Sequence, residues 1–232
     1  MTAEAEQAWA ALDVSWQAAL DQAWQSVCAG SLGIGAVITG DSGEVVAAGR
    51  NRLMEQDPGD DHLAGTSLAH AEMNALAKVP WLVDRHQRLT LWTTLEPCLM
   101  CAGAIRLSRI AEVRYLVADP IFEGAQRARE LNEFIASGWP DVIGPMADPL
   151  AVLGILFPAH LFAFWDDPSL RGSAATSGAW ARTFPRITAL AVELASSREL
   201  VRSVEEGRAL TEVVETLWDR LVEASTDLHA TP

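Results

Sequence analysis

Pro97-Cys98-Leu99-Met100-Cys101 and, upstream, His70-Ala71-Glu72 are the two stretches around which this 232-residue chain is organised. Two cysteines three positions apart at the start of a helix share one face, and the positive end of the helix favours the thiolate that binds metal. With His70, Cys98 and Cys101 as ligands, a tetrahedral zinc ion keeps one open position for water. Three protein ligands indicate a catalytic site more often than a structural one.

Glu72 is the predicted catalytic residue. It lies two residues after His70, so on an ideal helix the two side chains point to different sides and do not bind the same ion. With His70 in the first turn of the helix, we expect Glu72 to flank the water at the open position. A carboxylate there can take a proton from the water and hand it to a leaving group.

These two stretches resemble the cytidine and deoxycytidylate deaminase superfamily, and the resemblance extends over residues 33–119. The sequences His70-Ala71-Glu72-Met73-Asn74-Ala75-Leu76 and Thr94-Leu95-Glu96-Pro97-Cys98-Leu99-Met100-Cys101-Ala102-Gly103-Ala104-Ile105 are similar to its branch of guanine deaminases and tRNA adenosine deaminases. Zinc nucleobase deaminases carry the same H-x-E and P-C-x-x-C pattern. The resemblance implies a zinc-dependent hydrolase with Zn2+ as cofactor and a five-stranded sheet whose two metal helices lie on one face.

The hydrophobic pattern predicts a three-layer α/β fold with a C-terminal helical extension, and the resemblance implies an α/β/α sandwich of the cytidine deaminase type. Alternating apolar residues from Ile34 and from Val45 indicate two antiparallel strands, and Arg88 to Thr94 and Glu112 to Ala118 indicate two more. A strand, a turn and a helix in repetition are typical of a three-layer domain with its site at the strand ends. The helix signals fall at residues 4–28, at residues 68–79 after a cap at Thr66 or Ser67, and after Pro97.

Two units are predicted, a deaminase domain at residues 1–147 and a helical extension at 148–232 with a linker at about 166–178. The apolar run from Leu150 to Trp165 is shorter than the roughly twenty residues that cross a bilayer, so a buried helix or a subunit interface is favoured. Beyond the linker, helical spacing predicts an antiparallel helix pair with a break near Gly207. Dimerisation and packing over the catalytic domain are its two candidate roles.

The resemblance also implies substrate-binding residues. Asn51 matches an asparagine that hydrogen-bonds the substrate, and its amide offers both donor and acceptor; a turn residue is the alternative. The backbone near Ala71 is expected to hold the developing carbonyl. Glu96 either holds a loop or contacts the substrate, and Phe122 either stacks on a base or belongs to the core. The segment 57–67 is longer than in the tRNA enzymes, and we expect it to border the pocket.

Composition narrows the class of substrate and the compartment. The chain has 31 acidic and 17 basic residues and a formal net charge of −14, with Lys78 as its one lysine. A protein that tracks a phosphate backbone needs clustered Lys and Arg, so nucleic acid is unlikely as a partner. Three cysteines make no disulfide framework, and the acidic start is unlike a signal peptide. We therefore expect a cytoplasmic protein with no membrane span that acts on a small molecule, as a homodimer.

The predicted function is zinc-dependent hydrolytic deamination of a small nucleobase or nucleoside, an amino-purine or amino-pyrimidine, with release of ammonia. One alternative keeps the chemistry and makes the chain a tRNA adenosine-to-inosine deaminase. A second alternative is a non-catalytic zinc scaffold with a helical interaction tail. That scaffold needs a fourth protein ligand, for which Cys28, His62 and His86 are the candidates. Cys28 lies in an apolar helical stretch and is expected to be an ordinary buried residue.

Overall fold

A five-stranded sheet lies at the centre of the molecule. The computed structural model describes residues 2–57, 59, 62–80, 87–122, 125–165 and 173–229. The strands are β1 (Gly35–Thr39), β2 (Val45–Arg50), β3 (Thr90–Leu95), β4 (Glu112–Val117) and β5 (Asp141–Ile143). Their order is β2-β1-β3-β4-β5. β1 pairs antiparallel with β2 and β3, whereas the β3/β4 and β4/β5 pairs are parallel. Strands β3 and β4 therefore end at the same edge of the sheet.

Helices cover both faces of this sheet. In chain order they are α1 (Ala3–Ala11), α2 (Val14–Cys28), α3 (Ala71–Ala77), α4 (Leu99–Leu107), α5 (Glu133–Ala136), α6 (Leu153–Trp165), α7 (Ser173–Thr183), α8 (Pro185–Ser197), α9 (Glu199–Glu205) and α10 (Leu210–Ala224). Alternate residues of the strands point to opposite faces. Ile38 and Leu91 pack with residues of α3 and α4, whereas Val37 and Trp92 pack with α2 and α6. The predicted α/β sandwich, with both metal helices on one face, is confirmed.

Two glycines let helices approach the sheet closely from opposite sides. A Cβ atom on Gly35 would lie 2.1 Å from the carbonyl oxygen of Ala19 in α2, and one on Gly49 would lie 2.4 Å from that of Ala71 in α3. Any larger residue would push these helices away from the sheet. At Gly35 a helix backbone therefore occupies the space beside the strand.

Two predicted helix boundaries differ from the structure. The segment 4–28 forms two helices instead of one, because the Asp13 side chain accepts a hydrogen bond from Ser15 N–H at 2.8 Å and so caps a new helix. The helix predicted from residue 68 begins at Ala71, and its N-cap is His70, with extended backbone angles of −75° and 156°. Because the helix starts late, His70 lies at its N-terminal boundary and not within its first turn.

The C-terminal segment shares a core with the sheet. One buried cluster joins Leu20 and Val37 of the N-terminal half to Leu153, Ile187 and Leu217. The prediction of a buried apolar helix at 150–165 is confirmed by α6, which follows a 3-10 turn. Within the described ranges, no helix has the length and apolar character needed to cross a bilayer. The division into units at residue 147 stays a prediction.

The extension contains more helices than predicted. Residues 173–178 of the predicted linker form the first half of α7, since they include two alanines and no proline; residues 166–172 lie outside the described ranges. Four helices, α7 to α10, are present where the sequence predicted one antiparallel pair. Pro185 starts α8, and Arg198 adopts a left-handed conformation between α8 and α9. The predicted break near Gly207 is present, with a φ of 66° at that glycine.

Candidate active site

Two helix starts bring three potential metal ligands together. His70 is the N-cap residue of α3, and Cys98 is the N-cap residue of α4, each with extended backbone. Cys101 lies in the first turn of α4 and is fully buried. Because β2 leads towards α3 and β3 runs directly into α4, the sheet fixes the separation of the two helix starts.

The spacing of the three ligand atoms suits zinc. His70 Nδ1 lies 3.7 Å from Cys98 Sγ and 3.6 Å from Cys101 Sγ, and the two sulfur atoms are 3.6 Å apart. Zn–S bonds of about 2.3 Å and Zn–N bonds of about 2.0 Å at tetrahedral angles place sulfurs ~3.8 Å apart and nitrogen ~3.5 Å from each sulfur. The donor set therefore fits Zn2+ with little movement.

No fourth protein ligand accompanies this triangle in the described part of the chain, where the group consists of His70, Cys98 and Cys101. Cys28 is exposed, because it is the last residue of the amphipathic helix α2 and faces outwards. The expectation that it is buried is therefore wrong. His62 is exposed. His86 lies outside the described residues.

Glu72 is buried beside the metal ligands, with 4% of its surface exposed. Burial raises its pKa, and the neighbouring Cys98 raises it further, while His70 lowers it. A hydrogen bond from Cys101, aided by His70, lowers the pKa of the Cys98 thiol to about 4. The Cys101 pKa is raised by the same contact with Cys98 and by burial. Cys98 is therefore set up as thiolate.

A cavity of about 180 Å³ opens beside this group. Its lining residues include six of the eight residues that sequence reasoning selected, namely Asn51, His70, Glu72, Glu96, Cys98 and Phe122. An engineered cavity of about 150 Å³ holds one benzene ring, so this space suits a ring system of one or two rings. The sequence thus selected six residues that border a single cavity.

Asn51 has an unpaired amide donor at this cavity. Its Oδ1 accepts hydrogen bonds from Leu53 N–H at 3.0 Å and from the Ser31 hydroxyl at 2.9 Å. The backbone donor fixes which amide atom is the oxygen. Its buried Nδ2 has no hydrogen-bond partner among the described residues. A buried donor without a partner costs about 1 to 3 kcal/mol, so Asn51 is prepared to donate to a ligand.

Glu96 and Asp119 join the two strand ends at the cavity. Glu96 Oε2 accepts a hydrogen bond from Asp119 N–H at 3.1 Å, so this carboxylate does hold a loop, one of its two predicted roles. Asp119 Oδ1 accepts hydrogen bonds from Ile121 N–H and from the Trp180 indole at 3.0 and 3.1 Å. Burial raises the pKa of Asp119.

Two predicted contacts lie away from the cavity lining. Ala71 is fully buried at the first position of α3, and its side chain packs in the cluster between α3 and the sheet. None of the described residues of the segment 57–67 lines the cavity, and residues 58, 60 and 61 lie outside the described ranges, so a border formed by this segment stays a prediction. Asn74 of α3 holds Leu63 of that segment through hydrogen bonds of 3.0 and 3.1 Å.

A family model describes most of this site. The model of the cytidine and deoxycytidylate deaminase zinc-binding region matches residues 12–117. This match supports the cytidine and deoxycytidylate deaminase superfamily for that region of the chain. The match includes the His70, Cys98 and Cys101 triangle and Glu72. Zn2+ is accordingly the cofactor of this deaminase-family region.

Proteins similar to this chain include tRNA-specific adenosine deaminases and a guanine deaminase. A tRNA-specific adenosine deaminase of Streptococcus pyogenes serotype M18 (strain MGAS8232) is 36% identical over 111 residues, 47% of this chain and 64% of that protein. One of Bacillus subtilis (strain 168) is 39% identical over 39% of this chain and 52% of that protein. The chain therefore spans less than two thirds of these relatives. A solved guanine deaminase of Nitrosomonas europaea is 21% identical over 62% of this chain and 83% of that one, with a TM-score of 0.47.

Part of the cavity wall lies outside the deaminase-family region. Phe162 of α6 and Thr176 and Trp180 of α7 line the cavity together with the family residues. The rings of Phe162 and Trp180 pack at 5.6 Å, and the Trp180 indole bonds to Asp119. Sequence reasoning missed all three, because helical spacing around Trp180 indicates only a packed helix. Asp119, a further lining residue, does have a signal in the sequence, because it directly follows the strand predicted from Glu112 to Ala118.

Proposed function

We propose that this chain catalyses the hydrolytic deamination of a small amino-heterocycle, a free nucleobase or nucleoside. The observation that carries the proposal is the buried carboxyl of Glu72 beside three zinc ligands at an enclosed cavity. A zinc site that only holds a fold needs four protein ligands and no such carboxylate. Here the fourth position is left for the reaction.

The side chains supply the proton transfers of this reaction. Zinc, when bound, supplies Lewis acidity that makes water a better nucleophile at neutral pH. Glu72 takes the proton from the attacking water and delivers it to a ring nitrogen and then to the leaving amine. The water oxygen forms the new bond to carbon, the bond from carbon to nitrogen breaks, and ammonia leaves. The raised pKa of Glu72 suits a group that must both accept and return a proton.

The cavity favours a small uncharged substrate. Its titratable lining includes the carboxyl groups of Glu72, Glu96 and Asp119, and none of its described lining residues is lysine or arginine. A phosphate group at this place would find no lysine or arginine among the described lining residues to neutralise it. The Asn51 amide offers a donor to a ring nitrogen or carbonyl of a base.

A change at Asn51 tests the amide contact. Replacing Asn51 by aspartate keeps an acceptor for Leu53 and Ser31 but exchanges the unpaired donor for an oxygen. We expect kcat/KM to fall by about 10- to 100-fold, since the lost contact is worth about 1 to 3 kcal/mol. Steady-state kinetics with the preferred base measure this, and an unchanged thermal midpoint excludes unfolding. Unchanged kcat/KM would contradict a binding role.

Trp180 is expected to set the shape of the cavity. Replacing Trp180 by phenylalanine keeps an aromatic wall but removes the indole N–H that holds Asp119. We expect KM for a free base to rise by roughly tenfold, because the loss of a hydrogen bond to a charged group costs about 1.5 to 3 kcal/mol. Trp218→Phe is the matched control, since this buried indole on α10 has no hydrogen-bond partner within the described ranges. Equal KM values for the two variants would contradict the role of Trp180.

The second candidate is deamination of adenosine in tRNA. It is supported by the names of the relatives that are 36% and 39% identical, both tRNA-specific adenosine deaminases. The chain's own features that oppose it are the net charge of −14 and the cavity wall that the C-terminal helices add. The expectation that nucleic acid is unlikely as a partner thus remains a proposal.

Ammonia release separates the candidates. The full chain with zinc is incubated with free bases, nucleosides and tRNA, and Glu72→Ala serves as the control for contaminating activity. Release from a base or nucleoside, absent in the control, supports the first candidate. Inosine formation in tRNA without release from the small molecules would replace it with the second. Release from none of these substrates by the zinc-loaded protein would support a non-catalytic scaffold.

A further inference from the structure

A second cavity lies on the other side of α6, away from zinc. Its volume is about 190 Å³, and its walls come from the end of α2, from α6 and from α9. Most of the lining is apolar, with Phe157, Phe164, Leu200 and Val204 among its members. An apolar engineered cavity of about 150 Å³ binds benzene, so a space of this size holds one substituted aromatic ring.

His160 gives this cavity a polar group that folding leaves unsatisfied. The side chain is 6% exposed, and its Nε2 is buried and has no hydrogen-bond partner among the described residues. Its ring stacks on Phe164 with centroids 6.0 Å apart and planes at 16°. Burial lowers the pKa of His160 to about 4, so the imidazole is neutral at pH 7. A neutral imidazole has one donor and one acceptor nitrogen.

We propose that this cavity is a second ligand site, which binds a neutral single-ring aromatic molecule bearing a hydroxyl group. The phenyl rings of Phe157 and Phe164 suit a flat ring, and a hydroxyl can both donate to and accept from the imidazole of His160. The charged residue of the lining, Glu205, is exposed and paired with Arg198 at 3.5 Å. A charged ligand would therefore have no free counterion among the described lining residues.

The second cavity is linked to the first through Ser31. Ser31 lines the second cavity, and its hydroxyl donates to Asn51 Oδ1, whose amide borders the zinc cavity. α6 contributes His160 to one cavity and Phe162 to the other. A ligand in the second cavity is thus expected to alter the affinity for the amino-heterocycle, a consequence that rests on the proposed function.

Calorimetry with phenol and toluene tests the site without any activity measurement. The two molecules have nearly the same shape, and phenol alone carries a hydroxyl. We expect phenol to bind the zinc-loaded full chain more tightly than toluene by roughly 2- to 12-fold, the range for one net hydrogen bond. In His160→Phe, which keeps the stacked ring and removes both nitrogens, this preference should disappear while toluene still binds.

Val204→Trp fills the cavity and should abolish binding of both molecules. Val201→Phe serves the same purpose if the first variant fails to fold, as judged by circular dichroism and zinc content. Failure of the wild-type chain to bind either molecule, or equal binding by a folded filled variant, would overturn the site. An unchanged KM for the substrate at saturating phenol would overturn only the proposed coupling between the two cavities. If no assay detects deamination, the proposed function fails, but the calorimetric test of the second site is unaffected.

Discussion

Replacing Glu72 by glutamine is expected to lower kcat by about 10²- to 10⁴-fold, the usual contribution of a positioned general acid or base. Glutamine has nearly the same shape and fits the same buried position in the first turn of α3. It cannot accept a proton from water or return one to the leaving amine. Since Glu72 is not one of the three ligand residues, zinc should remain bound.

Kinetics and metal analysis together measure this result. The expected signature is a fall in kcat with unchanged zinc content and little change in KM, because the substrate contacts assigned to Asn51 are intact. Glu96→Gln is an informative comparison, since Glu96 is also a carboxyl at the cavity but accepts a hydrogen bond from Asp119 N–H. Activity of Glu72→Gln within tenfold of wild type would rule out Glu72 as the proton carrier.

The zinc triangle could be predicted from sequence because its geometry is local. Cys98 and Cys101 lie three positions apart at one helix start, so any helix there places both sulfurs on one side. The strand patterns before each helix then determine where His70 and Cys98 lie relative to each other. The exact start of α3 could not be predicted, since Thr66 and Ser67 are equally good caps by composition.

The remaining wall of the cavity could not be predicted, because it depends on long-range packing. Trp180 lies 61 residues from Asp119, its hydrogen-bond partner, and no pattern in either segment points to the other. Phe162 lies in an apolar helix, where the sequence pattern predicts that every large residue belongs to the core. The zinc-binding region can thus be recognised from its motifs alone, whereas the part of the cavity wall that comes from helices α6 and α7 cannot. The predicted homodimer stays a prediction.

Removal of the metal is expected to abolish activity and to destabilise the fold. Without zinc, the sulfur atoms of Cys98 and Cys101 and the buried carboxyl of Glu72 face one another without a divalent cation to hold them together. A ligand present at about 1,000 times its Kd stabilises the folded state by about 4 kcal/mol. For a chain of this size, each kcal/mol corresponds to about 2 to 4 °C, so chelation should lower Tm by roughly 8 to 16 °C.

A comparison of two cysteine variants attributes this effect to the site. Cys98→Ala removes one ligand, whereas Cys28→Ala removes an exposed thiol outside the ligand group. We expect Cys98→Ala to have the Tm of the chelated wild type, no detectable ammonia release and no further response to chelator. Cys28→Ala should behave as wild type in all three. A chelator response of Cys98→Ala equal to that of wild type would mean that the stabilising ion binds elsewhere, and both the zinc site and the role of Glu72 beside it would have to be abandoned.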